Sequence, residues 1–419
     1  MTAPSRRALL RGSAALAGAL AGSALSGCSD VRGASADVTA ARHSGPVDGG
    51  PGSAARAFGS EQIPFHGPHQ AGILTAQQAH ASFVGLDLRT GATREDVVNL
   101  LRMLSDDAER LCAGRPPLGA LEAVPANTPA RLTVTFGFGP GLFAAAGRPQ
   151  RCPASVRSLP AFATDRLEER WGQADLLLQV CSDDPTALAY ARRRLLRDAA
   201  AMARLRWVQT GFVVARGSDT VEASPRNLLG MRDGSANERD PQQRADVVWC
   251  RDPGVWAGGS QVVLRRVRLD LDRWDDADPS TKEAAFGRRI VDGSPLSAPQ
   301  GTSEFTSIDR QAIDAQGFDV IPVSAHAARA QARSGAERMI RRSYSYDDGP
   351  AADPASGRPD TGLLFVAYQA DLASAFVPVQ RRLAASDALN TWATHVGSAA
   401  FAVPPGAAPG EWVGQRVLA

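Results

Sequence analysis

Three side chains, far apart along the chain, are of types that do chemistry together: Asp233, His326 and Arg341. Asp233 stands in residues 229–237, LGMRDGSAN, a loop by composition. Gly234 directly after it lets the backbone turn with positive φ and approach something flat or bulky. By itself an Asp in such a loop is a turn-former; other groups must join it before it reads as a placed acid. His326 follows Ile321-Pro322-Val323 and is one of six histidines. Arg341 opens the run Arg341-Arg342-Ser343-Tyr344-Ser345-Tyr346, and strand alternation puts Arg341 and Ser343 on one face and Arg342 on the other. A neutral imidazole binds a metal well when its second nitrogen has an acceptor. A carboxylate can take and return a proton. A guanidinium stays charged while an oxyanion forms.

The hydrophobic pattern supplies elements to hold these groups. In the first half Val84, Leu86 and Leu88 alternate as in a half-buried strand. Thr93-x-x-Asp96 resembles a capping box and opens a helix carrying Val97, Leu100, Leu101, Leu104 and Leu111. Leu132, Val134, Phe136 and Phe138 alternate again, and residues 176–181 read as a strand. Asp184-Pro185 caps a helix to about Met202, and 207–214 return to strand. The order β-α-β-β-α-β is the ferredoxin-like plan. The second half repeats it, with Val263, Arg265, Val267, Leu269 and Leu271 alternating and a helix near 280–288. Strands over 338–346 and 363–369, a helix over 376–383 and a strand over 398–403 follow. The pattern predicts an α+β chain of two ferredoxin-like units, 62–225 and 226–415, whose paired sheets bury their apolar faces. The segment between Gly287 and Arg338 departs from the plan and holds His326; such departures tend to house ligands.

With 419 residues, 44% of them hydrophobic, the chain can fill one large unit or two medium ones. Its 46 basic and 44 acidic residues are scattered, and nothing points to nucleic acid. Five cysteines occur without a C-x-x-C pair, which argues against zinc or iron–sulfur sites. Cys112, Cys152, Cys181 and Cys250 read as small buried residues, although an exported chain could pair them. Arg6-Arg7 followed by Leu9, Leu10 and a mild apolar run over 14–25 predicts a twin-arginine signal, too short to span a membrane. Leu25-Ser26-Gly27-Cys28 resembles a lipoprotein cleavage box, so 1–28 is read as the signal and Cys28 as the lipidated residue. Residues 29–61, nearly devoid of large apolar side chains, read as a flexible tether. The expected location is extracytoplasmic, anchored by lipid to the outer face of the cytoplasmic membrane.

Several stretches, in order and spacing, resemble one family. Gly230-Met231-Arg232-Asp233-Gly234 matches its G-x-x-D-G signature, Ile321 to His326 its I-P-x-x-x-H segment, and Arg341 to Tyr346 its R-R-x-Y-x-Y strand. Trp256-Ala257-Gly258-Gly259-Ser260, Gln380-Arg381-Arg382-Leu383 and Pro404-Pro405-Gly406 agree as well. Over roughly residues 60–410 the chain resembles the dye-decolourising (DyP-type) haem peroxidases, of the twin-arginine-exported subgroup. The resemblance implies a duplicated ferredoxin-like barrel and one haem b per chain. It makes His326 the iron ligand, with Asp387 or Asn390 as acceptor for its other nitrogen. Arg341 becomes the distal cation and Asp233 the acid–base. Gly234, Ser235 and Ala236 would line the haem edge, and Leu363 and Phe365 would roof the distal side. Where the family has Asn-Pro-Arg, this chain reads Gln331-Ala332-Arg333, with Arg333 as partner of a haem propionate. Hydrogen peroxide would be reduced through an oxo-ferryl intermediate and dyes or phenolics oxidised, with electrons entering through residues such as Trp256, Tyr344 or Tyr346. A carboxylate base, with its reference pKa of about 3.9 against about 6.5 for histidine, implies an acidic optimum. The other function the family suggests is haem handling and iron release, of a deferrochelatase-like kind. Partners beyond peroxide and reductant would be a second copy of the chain or iron-uptake proteins.

Overall fold

Local signals account for most of the first half of the structure, a computed structural model in which residues 58–122, 124–220, 223–350 and 359–419 are described. The first alternating run is strand β1 (His80–Leu88). Thr93 and Asp96 close a reciprocal capping box: the Asp96 N–H donates to Thr93 Oγ1 at 3.3 Å and the Thr93 N–H to Asp96 Oδ2 at 2.8 Å. Helix α1 (Arg94–Cys112) buries Val97, Leu100, Leu101, Leu104 and Leu111, each worth roughly 1.5–3 kcal/mol on burial. Then come β2 (Thr133–Phe138), the short helices α2 (Pro140–Ala145) and α3 (Ala154–Arg157), and β3 (Leu176–Ser182). Asp184 caps α4 (Pro185–Ala199) by accepting from the Thr186 N–H at 2.7 Å, with Pro185 in the first turn. β4 (Ala203–Phe212) completes this half.

The second half runs α5 (Pro241–Val248), β5 (Ser260–Leu269), α6 (Leu271–Asp276), α7 (Pro279–Phe286), α8 (His326–Ala330), β6 (Ile340–Arg341), β7 (Tyr344–Pro350), β8 (Pro359–Gln369), α9 (Phe376–Ser386), β9 (Ala393–Val403) and α10 (Gln415–Leu418). The single strand expected over 338–346 is two strands. Arg342 and Ser343 interrupt it, and Arg342 is buried, its guanidinium donating to Thr75 O at 2.6 Å and to Gln78.

Among the described residues the strands form one nine-stranded sheet, ordered β5-β9-β2-β3-β1-β4-β7-β8-β6. β5 also pairs with β8, from Gln261↔Gln369 to Arg268↔Gly362, which closes the sheet into a barrel; β6 continues the line of β7 on the same side of β8, in the same register. The first half contributes β4-β1-β3-β2 and the second β9-β5-β8-β7, the same ferredoxin-like order twice. The halves join at Phe138↔Ala402 and Phe212↔Ser345. One apolar cluster draws Phe83, Trp207, Leu264, Tyr344, Tyr346, Tyr368 and Phe401 from strands of both halves. The expected duplicated α+β fold is the observed one.

The tether was expected to reach Glu61, yet residues 58–61 are docked. Phe58–Ser60 makes a 3-10 turn, and the Ala130 and Arg131 N–H groups donate to the carbonyls of Gly59 and Glu61, both at 2.8 Å. Such backbone bonds leave no trace in apolar content. The signal over 1–28, Cys28 and the rest of the tether lie outside the described residues. Cys112, Cys152, Cys181 and Cys250 are unpaired. Burial pushes the Cys112 thiol up to about 12 and the Cys152 thiol to about 11. No helix among the described residues is long and apolar enough to cross a membrane.

Candidate active site

The irregular segment between α7 and β6 and the 227–239 loop wall a cavity of about 620 Å³, together with β5, β8, α9 and the start of β9. His326, Asp233 and Arg341 all line it. Val267, Leu269, Leu363, Phe365 and Phe376 give it apolar walls, and both residues expected as a roof, Leu363 and Phe365, are among them.

His326 opens the five-residue α8. Ile321, Ala325 and Ala328 bury themselves with Ile308 and so anchor that short helix. Arg329 and Arg382 trade bonds across to α9: Arg329 Nη2 donates to Arg382 O at 3.3 Å and Arg382 Nε to Arg329 O at 3.2 Å. Just past α9, Asp387 accepts the Leu389 N–H on Oδ1 at 2.9 Å, while its Oδ2 lies 2.7 Å from His326 Nδ1. Of the two acceptors left open by the sequence, Asp387 is the one in place; Asn390 donates instead to Leu383 O at 3.0 Å. With the proton held on Nδ1 toward a carboxylate, the Nε2 lone pair is free for a metal.

Asp233 sits where its own N–H donates to Pro225 O at 2.8 Å. Gly234 follows at φ 113°, a conformation that a side chain would strain. Arg341 Nη2 lies 3.6 Å from Asp233 Oδ1, near enough to pair charge but too far for a hydrogen bond. Asn237 contacts the Arg341 backbone twice, donating to its carbonyl at 2.7 Å and accepting from its N–H at 2.9 Å. Arg288 lines the same cavity with its guanidinium on the carbonyls of Gly293, Glu304 and Thr306, and burial, with Arg341 close by, lowers its pKa. His395 lines it too; burial, reinforced by Arg265, pushes its imidazole down to about 3 and keeps it neutral. Sequence reasoning had assigned nothing to Asn237, Arg288 or His395. Asn237 was at least in view, four residues beyond Asp233 in the same loop.

Ser235, Ala236, Gln331 and Ala332 line the cavity, and Gly234 is the turn between Asp233 and Ser235 rather than a lining residue. Arg333 departs from expectation. It is exposed and outside the lining, because the chain turns away after Ala332 and the Arg333 N–H binds Glu337 at 2.9 Å. Arg239 and Arg338 are guanidinium groups that do line the cavity. Tyr344 and Tyr346 are fully buried, and Trp256 is half-buried with its Nε1 on Arg151 O at 3.0 Å.

An apolar-walled cavity of this size, a carboxylate-held imidazole with Nε2 free, and guanidinium groups able to pair with carboxylates together fit a haem. The family models for the Dyp-type peroxidase N-terminal and C-terminal parts match residues 70–213 and 224–408. The chain belongs to the DyP-type peroxidase family. The dye-decolorizing peroxidase of Thermobifida fusca (strain YX) is 37% identical over 365 residues, 83% of either chain. A deferrochelatase of Yersinia pestis is 32% identical over 372 residues, 83% of this chain and 82% of that one. Among solved structures, the DyP-type peroxidase from Cellulomonas bogoriensis has a TM-score of 0.82 at 45% identity, covering 86% of this chain and 99% of its own. Ferric DtpA from Streptomyces lividans has a TM-score of 0.82 at 41% identity, covering 88% of this chain and all of its own. As a DyP-type peroxidase the protein is a haem enzyme that reduces hydrogen peroxide and oxidises organic reductants.

Proposed function

We propose that His326 is the haem-iron ligand of this DyP-type peroxidase, with one haem b per chain, and that Asp233 and Arg341 are its peroxide-cleaving pair. One observation carries the reading: the three side chains line a single cavity, the imidazole held by Asp387 at 2.7 Å and the carboxylate–guanidinium pair at 3.6 Å. Haem held by His326 would supply the redox chemistry, lending two electrons to peroxide at the expense of the reductant. The chain's own residues do the rest. The Asp233 carboxylate takes a proton from hydrogen peroxide and returns it to the oxygen that leaves as water. Arg341 holds the negative charge that builds on that oxygen as the bond stretches. Asp387 keeps the Nδ1 proton of His326 in place and so keeps Nε2 basic. Arg239 and Arg338, which line the cavity, would pair with haem carboxylates, Arg338 sharing its guanidinium with Glu238 at 3.1 Å. Ser235 and Ala236, with Gln331 and Ala332, would lie along the cofactor, and Gly234 supplies the turn that brings them there.

Relatives named deferrochelatase favour a second reading, haem handling in iron acquisition. Haem carriage needs His326 alone, so the distal pair is what separates the two. In haem-loaded protein, Asp233→Ala or Arg341→Leu should keep the Soret band yet slow the spectral change on adding peroxide by at least about tenfold. Unchanged rates in both variants would leave haem handling as the better account.

The N-terminal reading stays a proposal: export by the twin-arginine route, lipidation at Cys28 and an extracytoplasmic place on the membrane. It rests on Arg6-Arg7, the apolar run and the Leu25–Cys28 tetrapeptide LSGC. A homodimer or an iron-uptake protein is the further partner it invites. Fractionation of cells making the full chain and its Cys28→Ser variant is the test.

A further inference from the structure

β6 is two residues long and continues β7 along β8, and among the described residues no strand pairs with its other side, since β4 ends opposite Ser345. In an antiparallel pair, successive residues turn their N–H and C=O to opposite sides. The Arg342 N–H donates to Val366 O of β8 at 2.8 Å, so the Arg341 N–H and C=O point away from β8, to the free edge. An edge residue normally gives those two groups to water or to another strand. Here a side chain takes both. The Asn237 amide offers a carbonyl and an N–H side by side, as a strand does, and meets the Arg341 N–H at 2.9 Å and its carbonyl at 2.7 Å.

The same asparagine closes the turn that carries the acid. Its backbone N–H donates to Gly234 O at 2.8 Å, so Gly234 to Asn237 form one tight turn directly after Asp233. Asp233 and Arg341 do not hold each other, since their 3.6 Å contact is no hydrogen bond. Two hydrogen bonds through Asn237 fix the acid loop against Arg341 itself, while the neighbouring Glu238 accepts from Arg338 at 3.1 Å ahead of β6. We propose that Asn237 is a positioning residue for peroxide cleavage, a one-residue substitute strand that docks the Asp233 turn onto the edge of β6 and so sets the distance between acid and cation. This rests on the reading of Asp233 and Arg341 given above. An amide is required: aspartate would accept from the N–H but not donate to the carbonyl, and leucine of similar bulk would do neither.

The test uses haem-loaded full chain, with Asn237→Leu as the main variant. The peroxide step should fall at least tenfold, because a displacement of about 1 Å at a reacting group costs up to about 100-fold. The later reaction with reductant should stay within twofold, a split that general loss of structure would not produce. Hydrogen exchange at the Arg341 amide should speed up, in the apoprotein as well as the loaded enzyme. In an Arg341→Leu background Asn237→Leu should add nothing further, as expected for groups that act as a unit. A peroxide step within twofold of wild type, or an equal loss in both backgrounds, would overturn the clamp. Should the leucine variant fail to take up haem, Asn237→Asp is judged by the same measurements, and a wild-type peroxide step there overturns it as well. Wild-type protein that binds haem but does not react with peroxide would sink the peroxide-pair reading itself, and the clamp with it.

Discussion

An imidazole that binds iron is only as well placed as the group on its far nitrogen. Asp387 uses both carboxylate oxygens, one on His326 and one on the Leu389 N–H, so the acceptor is itself held. Asp387→Ala should therefore weaken haem affinity by about 10–100-fold in a titration of the apoprotein; an unchanged affinity would mean that the ring is oriented by packing, for instance against Phe286. At this scale the sequence was informative where a residue type has few substitutes. Asp233 next to a glycine, a histidine after Ile-Pro, and a doubled arginine opening a strand were all legible. The choice between Asp387 and Asn390 was not. They stand three residues apart around one 3-10 turn, and only the direction in which the chain leaves α9 decides which faces the imidazole. Arg333 misled for the same reason, since the turn after Ala332 carries it to solvent.

Between elements, α1 and α4 pack with acids facing each other. Asp107 on α1 is buried, and burial together with the Asp198 carboxylate on α4 pushes it up to about 7. Asp106 adds to that shift and Arg194, 3.5 Å from Asp198, opposes it. The unfolded chain would release this proton near pH 3.9. The folded state thus holds a proton that the unfolded state gives up. The stability this group contributes is complete below about pH 4 and is lost as pH rises to about 7. Asp107→Asn should remove that dependence and raise stability at pH 8 by at least about 1 kcal/mol, read as a shift in urea midpoint between pH 5 and pH 8. A variant with the same pH slope as wild type would show that the proton is shared elsewhere. Such a site favours mild acid, the range in which a carboxylate base keeps working. Strand and helix positions were largely legible because alternation and caps are local. The break at Arg342 was not, because its cause is a carbonyl in the 70s of the chain.

For the whole molecule, closure is the deciding event. Each half supplies four strands in the same order, and neither could close a barrel without the other's edges at β2–β9 and β4–β7. Where the finished molecule resides is a separate question, carried by residues outside the described part. Wild-type chain is expected in the membrane fraction and Cys28→Ser in the soluble one; a soluble wild type would refute the anchor while leaving the enzyme untouched.

Composition, alternation and caps were enough to determine a doubled α+β chain, and short motifs were enough to name an acid, an imidazole and a guanidinium. These are properties of neighbours along the chain, so they can be read there. Tertiary structure alone decided that the three groups share one cavity, that Asp387 and not Asn390 steadies the imidazole, and that Asn237 ties the acid's turn to the cation's strand. Each of those contacts joins residues 61 to 108 positions apart, and only the path of the folded backbone determines which distant side chains meet.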